Sequence, residues 1–566
     1  MRVINSITDK PEWHQKVFDH NIVSNWREEI AKSGQDVTER MMDWIIKELQ
    51  WKAGIAQKKG LVRVFDIGVT KSDTAISKQL QQDLKRAVVP FEDVPEDQKD
   101  YHPGSGENVN LVHPSLFPVI FGRTRVLPDR TIDLKNCLSS VGQGILLQTP
   151  TEEDTKIDVT SRSRDKHWEG KAFSRKFQWL PCDVAFRGLE SETSDTDKVH
   201  QDEHHEIDRA ENDIATNNHG CKIKSYINNA HPIEHRPLYD AVERVIAAAI
   251  PLWDETLTEW PFEGERIPYK EVKYGEHSSP EPQYPEDAPD DFDDDAYGEK
   301  HWAWLQSRPI ILPEPGEFEV FKTWDCDIVN LREQFSEKGL QVIVKLANIE
   351  LTPEKPEYEG GTWHIEGQLN ERICATAIYY YDNQNITDST LSFRQRGDRM
   401  DDVIYDQDCH EFLQDVYGLT KNEQTGLTET TQVIGGVVCR EGRLVAFPNV
   451  VQHKVSPFSL ADRSKSGHRK ILALFLVDPH RRIISSANVP PQQENWKAKA
   501  GELGKVGCSH GLETEPSITP DQDGLDSTMT IKEAKAYRLK LMEERSVAGL
   551  DSKRMFEEAE FHLCEH

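Results

Sequence analysis

The sequence predicts an α+β protein, with a strand-rich centre between a helical N-terminal region and a helical tail. Three observations carry that expectation. Residues 38–60 place Met41, Met42, Ile45, Ile46 and Leu49 at helical spacing. Between residues 340 and 477, apolar and β-branched runs of strand length recur as LQVIVKLANIEL, RICATAIYYYD, LVAFP and RKILALFLV. Near the end, Thr530 and Glu533 form the T-x-x-E box that opens a helix over TIKEAKAYRLKLMEERS.

Taken in order, residues 1–150 read as a mainly helical region, and the stripe of residues 38–60 as a core-facing helix. Residues 151–172 are a polar linker, and the sheet core is expected over 173–492, starting at the strand-like FQWLPCDVAF of residues 177–186. Charged insertions interrupt it near 187–220 and 279–300. The second contains the acidic, Pro-rich SPEPQYPEDAPDDFDDDAY, which lacks the ligand alternation and the Gly of an EF-hand loop and reads as a solvated linker. Residues 493–566 form a tail with one capped helix. Its stripe of Ile531, Ala534, Tyr537 and Leu541 fits either docking on the core or binding a protein partner. Internal repeats are not evident.

Composition narrows the function classes. The 566 residues carry a net charge of −30, which repels phosphate backbones and anionic lipid, so neither nucleic-acid nor membrane binding is expected. Nine cysteines without a C-x-x-C pair fit a reducing compartment better than a disulfide framework. The opening MRVINSITDKPEWH has no apolar signal region, and VIAAAIPLW and ILALFLV are too short to span a bilayer. A soluble cytoplasmic protein is expected.

The chemistry lies in a His-x-acid pair. With 21 His and 98 acidic residues in the chain, about 3.6 such pairs arise by chance, and four occur: His167/Glu169, His200/Asp202, His204/Glu206 and His364/Glu366. The first three lie in polar, charged runs without apolar period, where nothing would fix ligand geometry. His364 follows a Gly-Gly turn and precedes a strand rich in aromatic and β-branched residues. On a strand, residues i and i+2 share a face, so His364 and Glu366 can meet one cation while Trp363 and Ile365 face away. His453, at the end of LVAFPNVVQ, supplies a remote third ligand. Two His and one carboxylate with open positions form the set used by non-haem Fe(II) oxygenases. Sixteen residues on, Arg469 opens RKILALFLV, and a guanidinium fork suits a carboxylate. That strand is apolar on both faces, so alternation does not choose between Arg469 and Lys470.

The order of these segments, from LQVIVKLANIEL through the Gly-Gly turn, H-x-E, RICATAIYYYD, TLSF, GRLVAFPN and His453 to GHRKILALFLV, resembles the 2-oxoglutarate/Fe(II)-dependent dioxygenases, closest to their prolyl-hydroxylase-like branch. The longer run from DKPEWHQKVFDHNIVSNWR through SYINNAHP and QRGDRMDDVIYDQDCHEFL to SSANVPPQ resembles a fungal family known only as a domain of unknown function, over roughly residues 1–492. The dioxygenase resemblance implies a double-stranded β-helix, or jelly-roll, core. It implies His364, Glu366 and His453 as metal ligands, Arg469 as the grip on the distal carboxylate of 2-oxoglutarate, and Fe(II) and 2-oxoglutarate as cofactors. Dioxygen and an organic substrate, either a small molecule or a protein side chain, would be the reactants, with hydroxylation the usual outcome and desaturation or demethylation open. One departure is plain: most such enzymes carry Asp where this chain has Glu366.

Two other classes stand beside that expectation. A cupin-like metal protein without 2-oxoglutarate turnover is kept open by Glu366, and a non-catalytic acidic interaction protein by the helical N-terminal region and tail. The segment 393–432 and the N-terminal region are expected to line the substrate site. One or two of Tyr379, Tyr380 and Tyr381 face inward, without alternation alone saying which.

Overall fold

The computed structural model describes residues 1–155, 173–187, 220–259, 266–285, 293–320, 327–397, 403–407, 409–419, 429–496 and 528–557. His167, His200 and His204, with most of the linker and of the first charged insertion, lie outside the described residues, as do parts of the acidic loop, the 393–432 segment and the tail. Strands of three residues or more are β1 (Val62–Phe65), β2 (Val69–Ser72), β3 (Asn108–Val112), β4 (Cys182–Phe186), β5 (Cys221–Ile223), β6 (Leu340–Leu351), β7 (Ile373–Gln384), β8 (Thr390–Arg396), β9 (Thr431–Val438), β10 (Leu444–Pro448), β11 (Gln452–Val455) and β12 (Gly467–Val477). Helices of seven or more are α1 (Arg2–Thr8), α2 (His20–Lys32), α3 (Glu39–Lys59), α4 (Lys78–Glu92), α5 (Arg236–Leu257), α6 (Asp294–Gln306) and α7 (Ile531–Glu557).

The strands form two antiparallel sheets in an α+β arrangement. The larger runs β1–β2–β10–β7–β12–β6–β4–β5, with β3 also paired to β6, and the smaller runs β9–β8–β11. At the centre, β7 and β12 pair from Ile373 opposite Val477 to Gln384 opposite His468. Both faces of β12 are apolar because both are covered. On one face Leu472, Leu474 and Leu476 pack with Ala375, Ala377 and Tyr379 against Val242, Ile246 and Trp253 of α5 and Leu84 and Val88 of α4. On the other, Ala473, Phe475 and Val477 join Ile343 and Tyr380, and Leu391, Phe393 and Val437 of the smaller sheet close over them. Each fully buried Leu or Phe contributes about 1.5–3 kcal/mol by leaving water.

This sandwich separates Arg469 from Lys470. Lys470 lies on the helix-covered face and pairs with Glu92 at 2.9 Å. Arg469 lies with Ile471 and Ala473 on the face toward the smaller sheet. By the same alternation Tyr380 faces inward, while Tyr379 and Tyr381 pack under the helices.

Helix α3 starts where Thr38 Oγ1 accepts the Met41 amide at 3.1 Å, and it ends at Gly60 in the left-handed region, φ 68. The next residues turn into β1 and β2, which join the large sheet beside β10. That sheet therefore draws on residues well ahead of position 173. The run FQWLPCDVAF holds two strands, Phe177–Gln178 and Cys182–Phe186, parted around Pro181, which has no amide to give a ladder. Helix α7 has its capping box, with Glu533 N donating to Thr530 Oγ1 at 3.2 Å and Thr530 N to Glu533 Oε2 at 2.9 Å. Of the two fates open to it, α7 docks on the core: Ala534 and Leu541 are buried, Arg123 pairs with Glu533 at 3.1 Å, and Arg538 and Arg545 pair with Asp100 and Glu371. No helix among the described residues is long and apolar enough to cross a membrane.

Candidate metal centre

The site is assembled by a backbone bridge. His364 N donates to His453 O at 3.2 Å and His453 N to His364 O at 2.9 Å. This reciprocal antiparallel pair puts both imidazoles on one face. His453 in turn lies opposite Phe393 of β8, so the His364 segment extends the smaller sheet by one more line of chain. Glycines set its course on either side of the pair. Gly360 has φ 94, and a Cβ there would stand 2.9 Å from Val455 O. Gly367 has φ 68, and a Cβ there would meet Glu371 Oε2 at 2.7 Å. Both positions need the left-handed region that glycine tolerates.

The three side chains converge. Glu366 Oε1 lies 3.3 Å from His453 Nε2 and 3.8 Å from His364 Nε2, and the imidazole centroids are 4.4 Å apart. One donor atom from each lies within 4.8 Å of the others, and among the described residues this is the one such group of His, Cys, Asp or Glu. Adjacent octahedral ligands at about 2.1 Å from a metal would be about 3 Å apart, which small side-chain adjustments reach from here. His453 is 3% exposed and packs on Phe447 at 4.7 Å. His364 keeps 46% of its side-chain surface open, and Glu366 12%. The set therefore opens on the side of His364.

Electrostatics leave His364 and Glu366 in ligand form. Burial pushes His364 down to about 4, aided by the neighbouring His453. Burial alone would raise Glu366, but the hydrogen bond from His453 and the charges of His364, His453 and Lys345 outweigh it and hold the carboxyl at about 2. A carboxylate beside a neutral imidazole is what a divalent cation requires. Thr362 O lies 2.8 Å from His364 Nδ1 and so takes the proton there, which leaves Nε2 as the free donor.

Sequence reasoning missed the group that positions Glu366. Asn449 Oδ1 accepts the Glu366 amide at 2.9 Å, and its Nδ2 donates to Glu366 O at 2.9 Å and to Ile373 O at 3.1 Å. The amide fork clamps the ligand's backbone to the turn before β11. Its signal was the Pro-Asn at the end of GRLVAFPN, a turn dipeptide with no functional mark of its own.

Arg469 is 3% exposed. Nη1 donates to Ser389 Oγ at 2.8 Å, and the guanidinium lies 5.7 Å from the Tyr380 ring and 5.2 Å from the Phe458 ring. Its Nε is buried without a hydrogen-bond partner. Ser389 is four residues before Phe393, the cross-strand neighbour of His453, so about 13 Å of one strand separates the two levels. The structure thus brings His364, Glu366 and His453 together and sets Arg469 deeper on the same enclosed face.

Comparison with protein families gives matches to a protein of unknown function, DUF4246, over residues 39–500 and to its N-terminal domain over residues 1–29. No curated protein matches. Among solved structures, the chain is similar to IDO from Bacillus thuringiensis (10% identity, 26% of this chain, 48% of that chain, TM-score 0.15). It is also similar to a bsmA homolog from Methylobium petroleophilum PM1 (13%, 31%, 59%, TM-score 0.16). A third likeness is to the Fe(II)/(alpha)ketoglutarate-dependent dioxygenase TqaL (17%, 26%, 45%, TM-score 0.14). The chain spans about half the length of these structures; at such TM-scores they carry no weight for the reaction.

Proposed function

The chain belongs to the DUF4246 family of proteins of unknown function, and we infer that it is an Fe(II)- and 2-oxoglutarate-dependent oxygenase acting on an organic substrate. The observation that carries this is the pairing of a converging His-Glu-His triad with a buried guanidinium whose Nε has no hydrogen-bond partner among the described residues. The two antiparallel sheets that enclose them support a double-stranded β-helix core. A buried donor left unmade is costly, and an incoming carboxylate would repay it.

In this reading His364, Glu366 and His453 would hold the metal. Arg469 takes the distal carboxylate of 2-oxoglutarate, with Ser389 and the Tyr380 and Phe458 rings fixing its plane. When bound, Fe(II) and 2-oxoglutarate supply the oxidation itself: dioxygen, 2-oxoglutarate and R–H become succinate, CO₂ and R–OH. Phe393, Phe447 and Phe475 line the enclosed face and keep water from it. Asn449 holds the backbone of Glu366, whose side chain carries one methylene more than an aspartate. That methylene is also the one feature favouring a cupin-like metal protein without 2-oxoglutarate turnover.

Anaerobic titration of the metal-free protein with Fe(II) and then 2-oxoglutarate tests the proposal through the visible charge-transfer band of the chelate. The band is expected in the wild type, absent in His364→Ala and His453→Ala, and shifted to much higher 2-oxoglutarate in Arg469→Ala. Iron binding without a band would favour the cupin-like reading. No iron binding by folded protein would overturn both.

A further inference from the structure

Lys345 sits where a charge is least expected. On β6 it shares the inward face with Ile343 and Ile349, both buried in the apolar space between the sheets. Its cross-strand partner is Ala473. The residue is half-buried, and among the described residues no carboxylate pairs with it and no acceptor takes its protons. Its charge adds to the lowering of His364 and Glu366, and of His102 and His113. A half-buried ammonium on the face toward the metal site, with no carboxylate partner among the described residues of a chain of net charge −30, is available to an anion that arrives.

Neighbouring cations are already matched. Arg469 is assigned to 2-oxoglutarate in the reading above, on which this inference rests. Arg545 of α7 lies over the Trp179 ring at 3.8 Å and pairs with Glu371, while Trp179 stacks on Phe475 at 5.7 Å. Helix α7 therefore covers this side of the enclosed face through Arg545. The positive charges of Fe(II) and Arg469 are balanced by Glu366 and the two carboxylates of 2-oxoglutarate. Among the described residues Lys345 has no such counter-charge.

We propose that Lys345 is the anchor for the substrate, and that the substrate is a small organic anion whose carboxylate or phosphate group meets the ammonium while its C–H faces the metal. The anion supplies the partner that the protein withholds, and it selects against the neutral analogue, which would leave the ammonium unpaired.

The test uses full-length protein with Fe(II) and saturating 2-oxoglutarate, kept anaerobic. Acetate, benzoate and phenyl phosphate are titrated as probes, with acetamide, benzamide and phenol as neutral counterparts, following calorimetric heat and perturbation of the charge-transfer band. At least one anion should bind at least tenfold tighter than its counterpart, with that preference lost in Lys345→Met, kept in Lys345→Arg, and 2-oxoglutarate affinity unchanged in both. If Lys345→Met instead weakens 2-oxoglutarate, the lysine serves the cosubstrate and the proposal falls. If the wild type shows its band but no anion is preferred, the proposal falls while the oxygenase reading stands. Absence of the band in the wild type takes down both.

Discussion

Two buried arginines on the same sheet system show opposite habits. The Arg443 side chain is fully buried, and its whole fork is spent on the protein: Nε and Nη2 bond Asp73 at 2.6 and 2.8 Å, and Nη1 meets Asp9 at 2.7 Å and Val438 O at 3.1 Å. Lys71 completes that cluster, 2.5 Å from Asp9. Arg469, 3% exposed, makes one hydrogen bond, to a serine, and meets two aromatic rings. Burying a guanidinium costs several kcal/mol that only good partners offset. Arg443 offsets it internally and so holds α1, β2 and β10 together. Arg469 leaves Nε without a hydrogen-bond partner among the described residues, which the proposed carboxylate would supply.

The strongest way to break this contrast is to remove each arginine in turn. Arg443→Met leaves Asp9 and Asp73 without their partner and is expected to cost about 3 kcal/mol, the low end of the range for a broken buried pair, because Asp73 is 44% exposed and partly screened. Denaturant unfolding measures it, while Fe(II) affinity of the folded protein should not change. Arg469→Met should do the reverse. Folding stability holds within about 1 kcal/mol, since an under-used donor gives way to an apolar side chain, and the 2-oxoglutarate needed for half-saturation rises about 100-fold. Loss of stability without loss of 2-oxoglutarate affinity would place Arg469 with Arg443.

A smaller effect separates ligand from support. Asn449→Ala leaves the triad intact but frees the Glu366 backbone, and Fe(II) affinity should fall about tenfold or somewhat more, as for other groups that orient metal ligands. An unchanged affinity would mean that the two glycine turns suffice to hold the pair.

The same contrast marks what could be read from the chain. His364, Glu366 and His453 were legible because strand periodicity and a Gly-Gly turn impose geometry within a few residues. Arg469 was half legible: ILALFLV is apolar on both faces, and which face meets the smaller sheet depends on α4, α5 and β8, far away in sequence. Lys345 was hidden for a related reason, since one lysine in LQVIVKLANIEL reads as a strand-edge charge until its neighbours are known. The strands VRVF and VTKS passed unnoticed because four residues carry too little alternation beside a helix of twenty-one. Helix α7 was legible from its cap, but its docking was not, because it rests on Arg123, Asp100 and Glu371 as much as on its thin apolar stripe.

pH probes the paired cluster more gently. Burial, and then the charge of Arg443, push Lys71 down to about 8 from 10.5, although Asp9 pulls the other way. Between those values the unfolded chain holds a proton on Lys71 that the folded chain has released. The cost of burying the ammonium is therefore complete below about pH 8 and is relieved as pH rises toward 10.5, so the lysine adds a positive slope of stability with pH. Lys71→Met should remove that slope, seen as the difference between wild-type and variant unfolding free energies from pH 7 to 10. Parallel curves would mean that Asp9 holds the ammonium charged throughout.

The smallest expected effect lies in the tail and joins it to the site rather than to the paired cluster. Thr530→Ala removes the hydroxyl that accepts the Glu533 amide at 3.2 Å and should cost about 1 kcal/mol of helix stability. Because α7 meets the core through separate polar anchors, the loss is expected as faster amide exchange in its first turns, without a change in global unfolding. Arg545 lies about four turns further along, over Trp179 and paired with Glu371, so loosening of the helix should be felt at Trp179 and Glu371 and not at Arg443. Exchange that quickens at Trp179 and Glu371, while β2 and β10 stay protected, would establish that direction. Equal loosening at both ends would make the tail a general brace instead of a roof over one face.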